Sequence, residues 1–241
     1  MLNTQPIAKV VASDGRQLVV HSIFHTIQGE GPFCGRPAVF VRLSDCNLTC
    51  PLCDTDYTSV RMTMTPVEIY KVVSRFPIQD GGLVVLTGGE PFRQPVGMLL
   101  RALTSEGYAV QIETNGTLPP QDFIYKRELM GEPMPGCAYI VCSPKTGKIN
   151  PEILIQACAL KYVACADDIE EDDGLPRTAL GHSANPRLAR PPLFWRRPIY
   201  LQPADEQDEV KNRANRLAVV KSCMQFGYTI QIQTHKLLEL E

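Results

Sequence analysis

The feature that most constrains this chain is a recurring pair: a short, β-rich apolar run followed at once by a polar or glycine-rich motif. It recurs as LVVL–TGGEP, AVQI–ETNGT, AYIVC–SPK and IYL–QPAD, with helix-like segments between. Strands alternating with helices point to an α/β fold with a mostly parallel sheet. The expected strands are 38–43, 83–87, 109–113, 138–142, 160–164, 199–202 and 229–233. The expected helices are 65–75, 95–105, 150–157 and 208–226, the last with Val210, Ala214, Leu217, Val220 and Met224 at helical spacing. TPVE, starting at Thr65, has the form of a capping box with proline at the first helical position. In such sheets ligands bind at the carboxyl ends of the strands. The motifs at 87–90, 113–115, 143–145 and 202–205 all fall there, which predicts one active site on one face.

Composition excludes several function classes. A net charge of −2 over 241 residues gives no field favouring nucleic acid or an anionic membrane. The apolar runs are far shorter than the roughly 20 residues of a membrane span. The first residues lack the basic-then-apolar layout of a secretory signal. A soluble, cytoplasmic protein is expected. Nine cysteines, an odd number in a chain of this size, fit a disulfide framework poorly. Cys34, Cys137, Cys142, Cys158, Cys165 and Cys223 are scattered and read as small buried hydrophobes. Residues 166–197, acidic and then rich in Pro and Arg, break the α/β rhythm and read as a loop or lid insertion, with Trp195 as an anchor.

Three cysteines are clustered: Cys46, Cys50 and Cys53, in the spacing C-x3-C-x2-C. A tetrahedral metal site wants four ligands, and no fourth cysteine follows nearby. His21, His25, His182 and His235 form no metal-binding pair, and the sequence gives His21, His25 and His182 little support. From the cysteines alone, zinc, a redox or packing role, and an iron–sulfur cluster with one open iron all stand.

The spacing resembles that of the radical S-adenosylmethionine enzymes, and LTGGEP resembles their GGE segment. That resemblance implies a 4Fe–4S cluster on three cysteines, with S-adenosylmethionine on the fourth iron, cleaved to a 5′-deoxyadenosyl radical. The glycines allow close backbone approach, with the backbone of the segment receiving the methionine ammonium. The ordered set QGEG, CNLTCPLC, LTGGEP, IETNGT, SPK, LQP and QTHK, running from Phe24 to Lys236, resembles the 7-carboxy-7-deazaguanine synthases more narrowly. It implies a partial (β/α) barrel, mostly parallel and trimmed relative to the full six-unit core, as a single domain over 1–241. It also implies Mg²⁺, a homodimer, an electron donor such as a flavodoxin or ferredoxin, and radical contraction of 6-carboxy-5,6,7,8-tetrahydropterin to 7-carboxy-7-deazaguanine with loss of ammonia.

Carried over by position, Cys46, Cys50 and Cys53 would hold the cluster and Thr55 the Mg²⁺, where the residues alone favour Asp54 and Asp56. S-adenosylmethionine would meet Leu52, Cys53, Asp54, Gly89, Ser143, Pro144, Lys145, Gln202, Pro203, Ala204 and Asp205. The pterin would meet Ile27, Gln28, Gly29, Glu30, Thr87, Glu113, Asn115 and His235, the last from the final strand. Arg42 would grip the substrate carboxylate. No side chain is assigned as acid or base. The alternatives are another radical S-adenosylmethionine enzyme, such as a glycyl-radical activating enzyme, and a non-catalytic zinc or iron–sulfur module.

Overall fold

A computed structural model describes residues 3–78, 81–120, 134–182 and 187–240. Its strands are β1 (Leu18–Ile27), β2 (Pro37–Leu43), β3 (Met62–Met64), β4 (Leu83–Gly88), β5 (Ala109–Thr114), β6 (Ala138–Cys142), β7 (Ala157–Ala164), β8 (Ile199–Pro203) and β9 (Thr229–Ile230). Its helices are α1 (Pro66–Val73), α2 (Gly97–Ser105), α3 (Pro151–Gln156), α4 (Glu209–Phe226) and α5 (Thr234–Leu237). The strands form one sheet in the order β3-β1-β2-β4-β5-β6-β7-β8-β9. β1 pairs antiparallel with β2 and β3, and every other pairing is parallel.

Side chains alternate across a strand, and that alternation builds two different faces. Val39, Val41, Val84, Leu86, Val110, Ile112, Ile140 and Leu160 pack with Ile69 and Val73 of α1, Leu99 and Leu103 of α2, Ile153 of α3 and Val219 of α4. On the other face the amino ends of the strands are apolar. Ala38, Leu83, Val85, Ala109, Tyr139, Val141 and Ala159 close around Phe33. Further along the same face the residues turn polar: Arg42, Thr87, Gln111, Glu113, Lys161 and Gln202. An apolar plug therefore lies beneath a polar floor.

The sheet curls into a partial barrel rather than closing. Gln231, just beyond β9, accepts a hydrogen bond from Gly31 N (2.5 Å) and donates to Gly29 O (3.3 Å). Side-chain and backbone contacts thus span the gap between the last strand and the turn after β1.

Several expectations need correction. β1 and β3 are strands that the sequence reading does not anticipate. The 229–233 strand covers only Thr229–Ile230: Gln231 N still donates to Leu201 O (2.9 Å), its side chain bridges the opening, and the chain then turns into α5 at Thr234. His235 consequently lies on α5 and not on a strand. The capping box is present, with Thr65 and Glu68 each accepting from the other's backbone N–H. Helix α4 exists, capped by Asp208 and ended by Gly227 at φ 77°, but it buries a different stripe. Val210, Leu217 and Met224 are exposed, while Asn215, Val219, Ser222 and Cys223 are buried. The reason is polar. Asn215 accepts from Ala166 N (2.7 Å) and donates to Ala204 O (3.0 Å), and Ser222 donates to Gly174 O (2.6 Å). Apolar periodicity does not register such anchors.

In the 166–197 segment, residues 183–186 lie outside the described residues. The rest folds on itself, pairing its acidic half with its basic half. Asp173 accepts from Arg187 (2.7 Å) and Arg190 (2.6 Å), and Asp168 from Thr178 N and Oγ1. Leu175, Ala179, Leu188 and Ala189 join the main core, and half-buried Trp195 packs against it.

Candidate active site

One cavity of about 480 Å³ opens over the carboxyl ends of β2, β4, β5, β6, β7 and β8. Its walls include Cys46, Cys50 and Cys53 with Leu52, Asp54 and Thr55, then Ile27, Gln28 and Glu30, and Arg42, Thr87 and Gly89. Glu113, Asn115, Ser143, Lys145, Gln202, Ala204, Asp205 and His235 complete the predicted set on those walls. Gly29, Pro144 and Pro203 lie behind the walls, next to residues that form them. Gly29 has its own reason: a Cβ there would sit 2.0 Å from His235 Nδ1, so only glycine lets the histidine dock.

The loop carrying the thiols is clasped from three sides. At its base Asp45, in the left-handed region at φ 68°, is buried against Arg93 (3.0 Å) and Arg61. Arg93 also donates to Lys9 O (2.8 Å) and Ser44 O (3.2 Å). On one flank Asn3 donates to Cys50 O (3.1 Å), Gln5 donates to Thr55 O (2.9 Å), and Ala8 N donates to Cys46 O (2.8 Å). On the other, Leu52 N donates to Leu180 O (3.0 Å), and His182 Nε2 lies 3.1 Å from Cys50 Sγ. Asn3, Gln5 and Arg93 escape sequence reasoning because their partners, backbone carbonyls and for Arg93 also the buried Asp45, are distant in sequence and leave no mark in a motif.

The GGE segment closes on the same loop. Gly89 N donates to Leu43 O and Glu90 N to Asp45 O, both at 3.1 Å. These amides are spent on the chain itself, and a ligand ammonium, being a donor, can be received only by carbonyls of the segment. Glu90 is fully buried and accepts from Phe92 N (3.0 Å), Thr114 Oγ1 (2.7 Å) and Asn115 N (2.7 Å). Burial pushes its carboxyl up, against those three donors. Glu90 fastens β4 to β5 and is not a solvated first-turn acid. Asn115 donates to Asn47 Oδ1 (2.9 Å) and accepts from Thr117 N (2.9 Å), so its amide positions the cysteine loop.

The floor is a buried charge network. Lys161 pairs with Glu30 and with Glu113 (3.4 Å). Gln28 (3.0 Å) and Gln111 (2.9 Å) donate to Glu113, and Gln233 (2.8 Å) donates to Glu30. Burial alone would raise the Glu30 carboxyl, but Lys161, Gln233 and His235 hold it down, at about 2. Its contribution to stability is fully present above about 4.5 and is lost as pH falls toward about 2. Urea unfolding followed between those limits is expected to show stability falling with pH, and Glu30→Gln is expected to flatten that slope. Lys236 joins Asp54 (2.8 Å) to Asp205 (3.5 Å), tying α5 to the thiol loop.

Neither aspartate favoured on residue type stands open for a cation. Asp54 is held by Lys236, and Asp56 accepts from Thr58 N (3.0 Å), Ser59 N (3.1 Å) and Ser59 Oγ. Thr55 Oγ1 makes only a 3.5 Å contact with Asp54.

The residues fit an iron–sulfur cluster with a bound cosubstrate. All nine cysteines are free thiols, and three of them share one wall. Among the described residues no three His, Cys, Asp or Glu side chains converge on a single ion, whereas a cubane accepts donors spread more widely. Burial pushes the Cys46 thiol up to about 12 and Cys50 up to about 11, so loading metal must displace protons. Gln202 Oε1 is buried on the cavity wall with no hydrogen-bond partner, an acceptor in want of a donor. Lys145, which donates to Ser143 O (3.1 Å), supplies a half-buried amine nearby, its ammonium pushed down by burial and by Lys161.

Three thiols around a cavity at the strand ends of a partial parallel barrel are the working parts of a radical S-adenosylmethionine enzyme. The Radical SAM superfamily model matches residues 41–131. The chain is 39% identical to the 7-carboxy-7-deazaguanine synthase of Rhodospirillum rubrum over the whole of both chains. It is 36% identical to that of Rickettsia prowazekii, over all of this chain and 96% of the relative. The chain belongs to the 7-carboxy-7-deazaguanine synthase family. The crystal structure of QueE from Escherichia coli shares the fold, with a TM-score of 0.63 at 22% identity over 90% of this chain and 94% of that one.

Proposed function

We propose that the protein converts 6-carboxy-5,6,7,8-tetrahydropterin to 7-carboxy-7-deazaguanine with release of ammonia, by a radical ring contraction. The observation that carries this reading is the single cavity that gathers the cysteine loop, Arg42, the QGEG turn and His235, residues drawn from both ends of the chain. Bound cluster and S-adenosylmethionine supply the one-electron chemistry that starts a radical reaction at carbon. Cys46, Cys50 and Cys53 hold the cluster.

The chain's own residues bind, orient and exclude water. Leu52, Asp54, Gly89, Ser143, Lys145, Gln202, Ala204 and Asp205 form the S-adenosylmethionine side of the cavity. Lys145 balances the methionine carboxylate, and Gln202 Oε1 accepts from the ligand. Arg42 pairs with the substrate carboxylate through its planar fork. Ile27, Gln28, Glu30, Thr87 and Glu113 hold the pterin, with His235 above it. The Glu113 carboxylate suits a donor-rich heterocycle edge.

Thr55 supplies an oxygen to Mg²⁺, which keeps few protein ligands. Thr55→Ala is expected to raise the Mg²⁺ needed for half-maximal turnover by at least about tenfold at unchanged iron content. Unchanged Mg²⁺ dependence would remove Thr55 from the metal.

The protein works in the cytoplasm as a single domain, with 166–197 as its cap and a flavodoxin or ferredoxin as electron donor. The free thiols suit a reducing compartment, and among the described residues no helix is long and apolar enough to cross a membrane. It acts as a homodimer. The stripe Val210, Leu217 and Met224 on α4, exposed in one copy, gives a second copy an apolar surface to cover. Light scattering that finds a monomer would exclude this.

The function is tested by anaerobic turnover of the reconstituted protein with the pterin, S-adenosylmethionine, Mg²⁺ and reductant. A product with the mass and ultraviolet spectrum of 7-carboxy-7-deazaguanine is expected. Release of 5′-deoxyadenosine without that product would move the chain to another radical reaction.

A further inference from the structure

His182 belongs to no motif, and the sequence gives it little support. The cap nevertheless brings it to the central cysteine, with Nε2 3.1 Å from Cys50 Sγ. The approach is built by the backbone on either side. Leu180 is held in the left-handed region at φ 49°, unfavourable for a branched side chain, and its carbonyl takes Leu52 N at 3.0 Å. Gly181 follows at φ 80°, so close to the loop that a Cβ would lie 3.1 Å from Pro51 Cβ. Two consecutive left-handed residues thus lay the cap along the residues between Cys50 and Cys53.

A cysteine that binds iron is a thiolate and can only accept hydrogen bonds, so an imidazole nitrogen against it must be the donor. Hydrogen bonds to cluster sulfurs are a principal means by which a protein sets cluster potential. The reduced cluster carries the greater negative charge, and a donor aimed at its sulfur stabilises that state more than the oxidised one.

We propose that His182 donates a hydrogen bond from Nε2 to the Cys50 sulfur of the loaded cluster and thereby raises its reduction potential. The proposal rests on the reading that Cys46, Cys50 and Cys53 hold a 4Fe–4S cluster. His182 is a positioning residue here, since it touches a cluster ligand and neither substrate. It also gives the cap a role beyond covering the cavity: the segment that shuts out water carries a group that eases electron entry.

The test is an anaerobic redox titration of reconstituted protein, read by the electron paramagnetic resonance of the reduced cluster, with wild type, His182→Leu and His182→Gln. The midpoint reports only loaded clusters, so partial iron loss in a variant does not obscure it. His182→Leu is expected to lower the ratio of reduced to oxidised cluster at fixed poise about tenfold, a shift of about 59 mV for one electron. His182→Gln, which keeps an N–H donor, is expected to recover most of that shift. In wild type labelled with ¹⁵N-histidine, the reduced cluster is expected to show a nitrogen coupling that His182→Leu lacks. A His182→Leu midpoint equal to wild type overturns the proposal alone. Wild type that takes up no 4Fe–4S cluster overturns the reading beneath it as well.

Discussion

Gly89→Ala is expected to be among the most damaging single substitutions in the chain. A Cβ at this position would meet Asp45 O at 1.8 Å and Cys46 N at 2.7 Å, and both are backbone atoms that no side-chain rotation can move. Gly89 N is also bonded to Leu43 O (3.1 Å) and Glu90 N to Asp45 O (3.1 Å), so relief would break the joint between β4 and the root of the cysteine loop. Asp45 cannot give way cheaply, since it is buried, left-handed and held by Arg93. A loss of about 4 kcal/mol or more is expected in chemical unfolding, together with a large fall in iron bound per chain. The closely packed glycines therefore bring chain to chain first, and chain to ligand second. A Gly89→Ala protein with wild-type stability and iron content would show the turn to be slack.

Lys161→Met should be nearly as costly, for an electrostatic reason. Lys161 is buried between the carboxylates of Glu30 and Glu113, and burial, which lowers its ammonium pKa, is outweighed by those two charges, which raise it. Methionine fills similar space but leaves both carboxylates uncompensated. Removing one partner of a buried ion pair costs about 3–5 kcal/mol, measurable in urea. At least one carboxyl should then take up a proton, so the floor would exchange two carboxylates bridged by an ammonium for a carboxylate beside a carboxylic acid, at the same net charge. Binding of the pterin is expected to weaken more than binding of S-adenosylmethionine, since Glu30 and Glu113, the two partners of Lys161, are assigned to the pterin in the proposed function. Equal weakening of both would place the network under the whole cavity.

Much of this architecture is legible in the sequence because the parallel strands advertise both their core and their ends. AYIVC is apolar throughout and is buried throughout, and the motif after each such run lies on the cavity wall. What escapes notice does so for physical reasons. Strand β1 is buried only at Leu18, Val20 and His21 and contains two histidines and a serine, so its sequence lacks the apolar continuity of the central strands. Helix α4 reads as amphipathic from Val210, Leu217 and Met224, yet it docks by Asn215 and Ser222, whose partners are carbonyls and amides of distant segments. His182 and Asn3 reach the cysteine loop across 132 and 47 residues of chain. Only a folded cap and a folded amino-terminal segment bring them there. Asn115 and Glu90 lie within recognisable motifs, but their internal hydrogen bonds, and hence their work in holding the loop, emerge only from geometry.

The central claim is that one face of the sheet holds a three-cysteine cluster whose remaining iron takes S-adenosylmethionine beside the pterin. It is tested most directly by magnetic resonance of the reduced, reconstituted protein with S-adenosylmethionine ¹⁵N-labelled at the methionyl amine. The account predicts a strong nitrogen coupling to the cluster that survives addition of the pterin and disappears in Cys50→Ala. Zinc in place of iron, or a reduced cluster blind to the labelled amine, would contradict it.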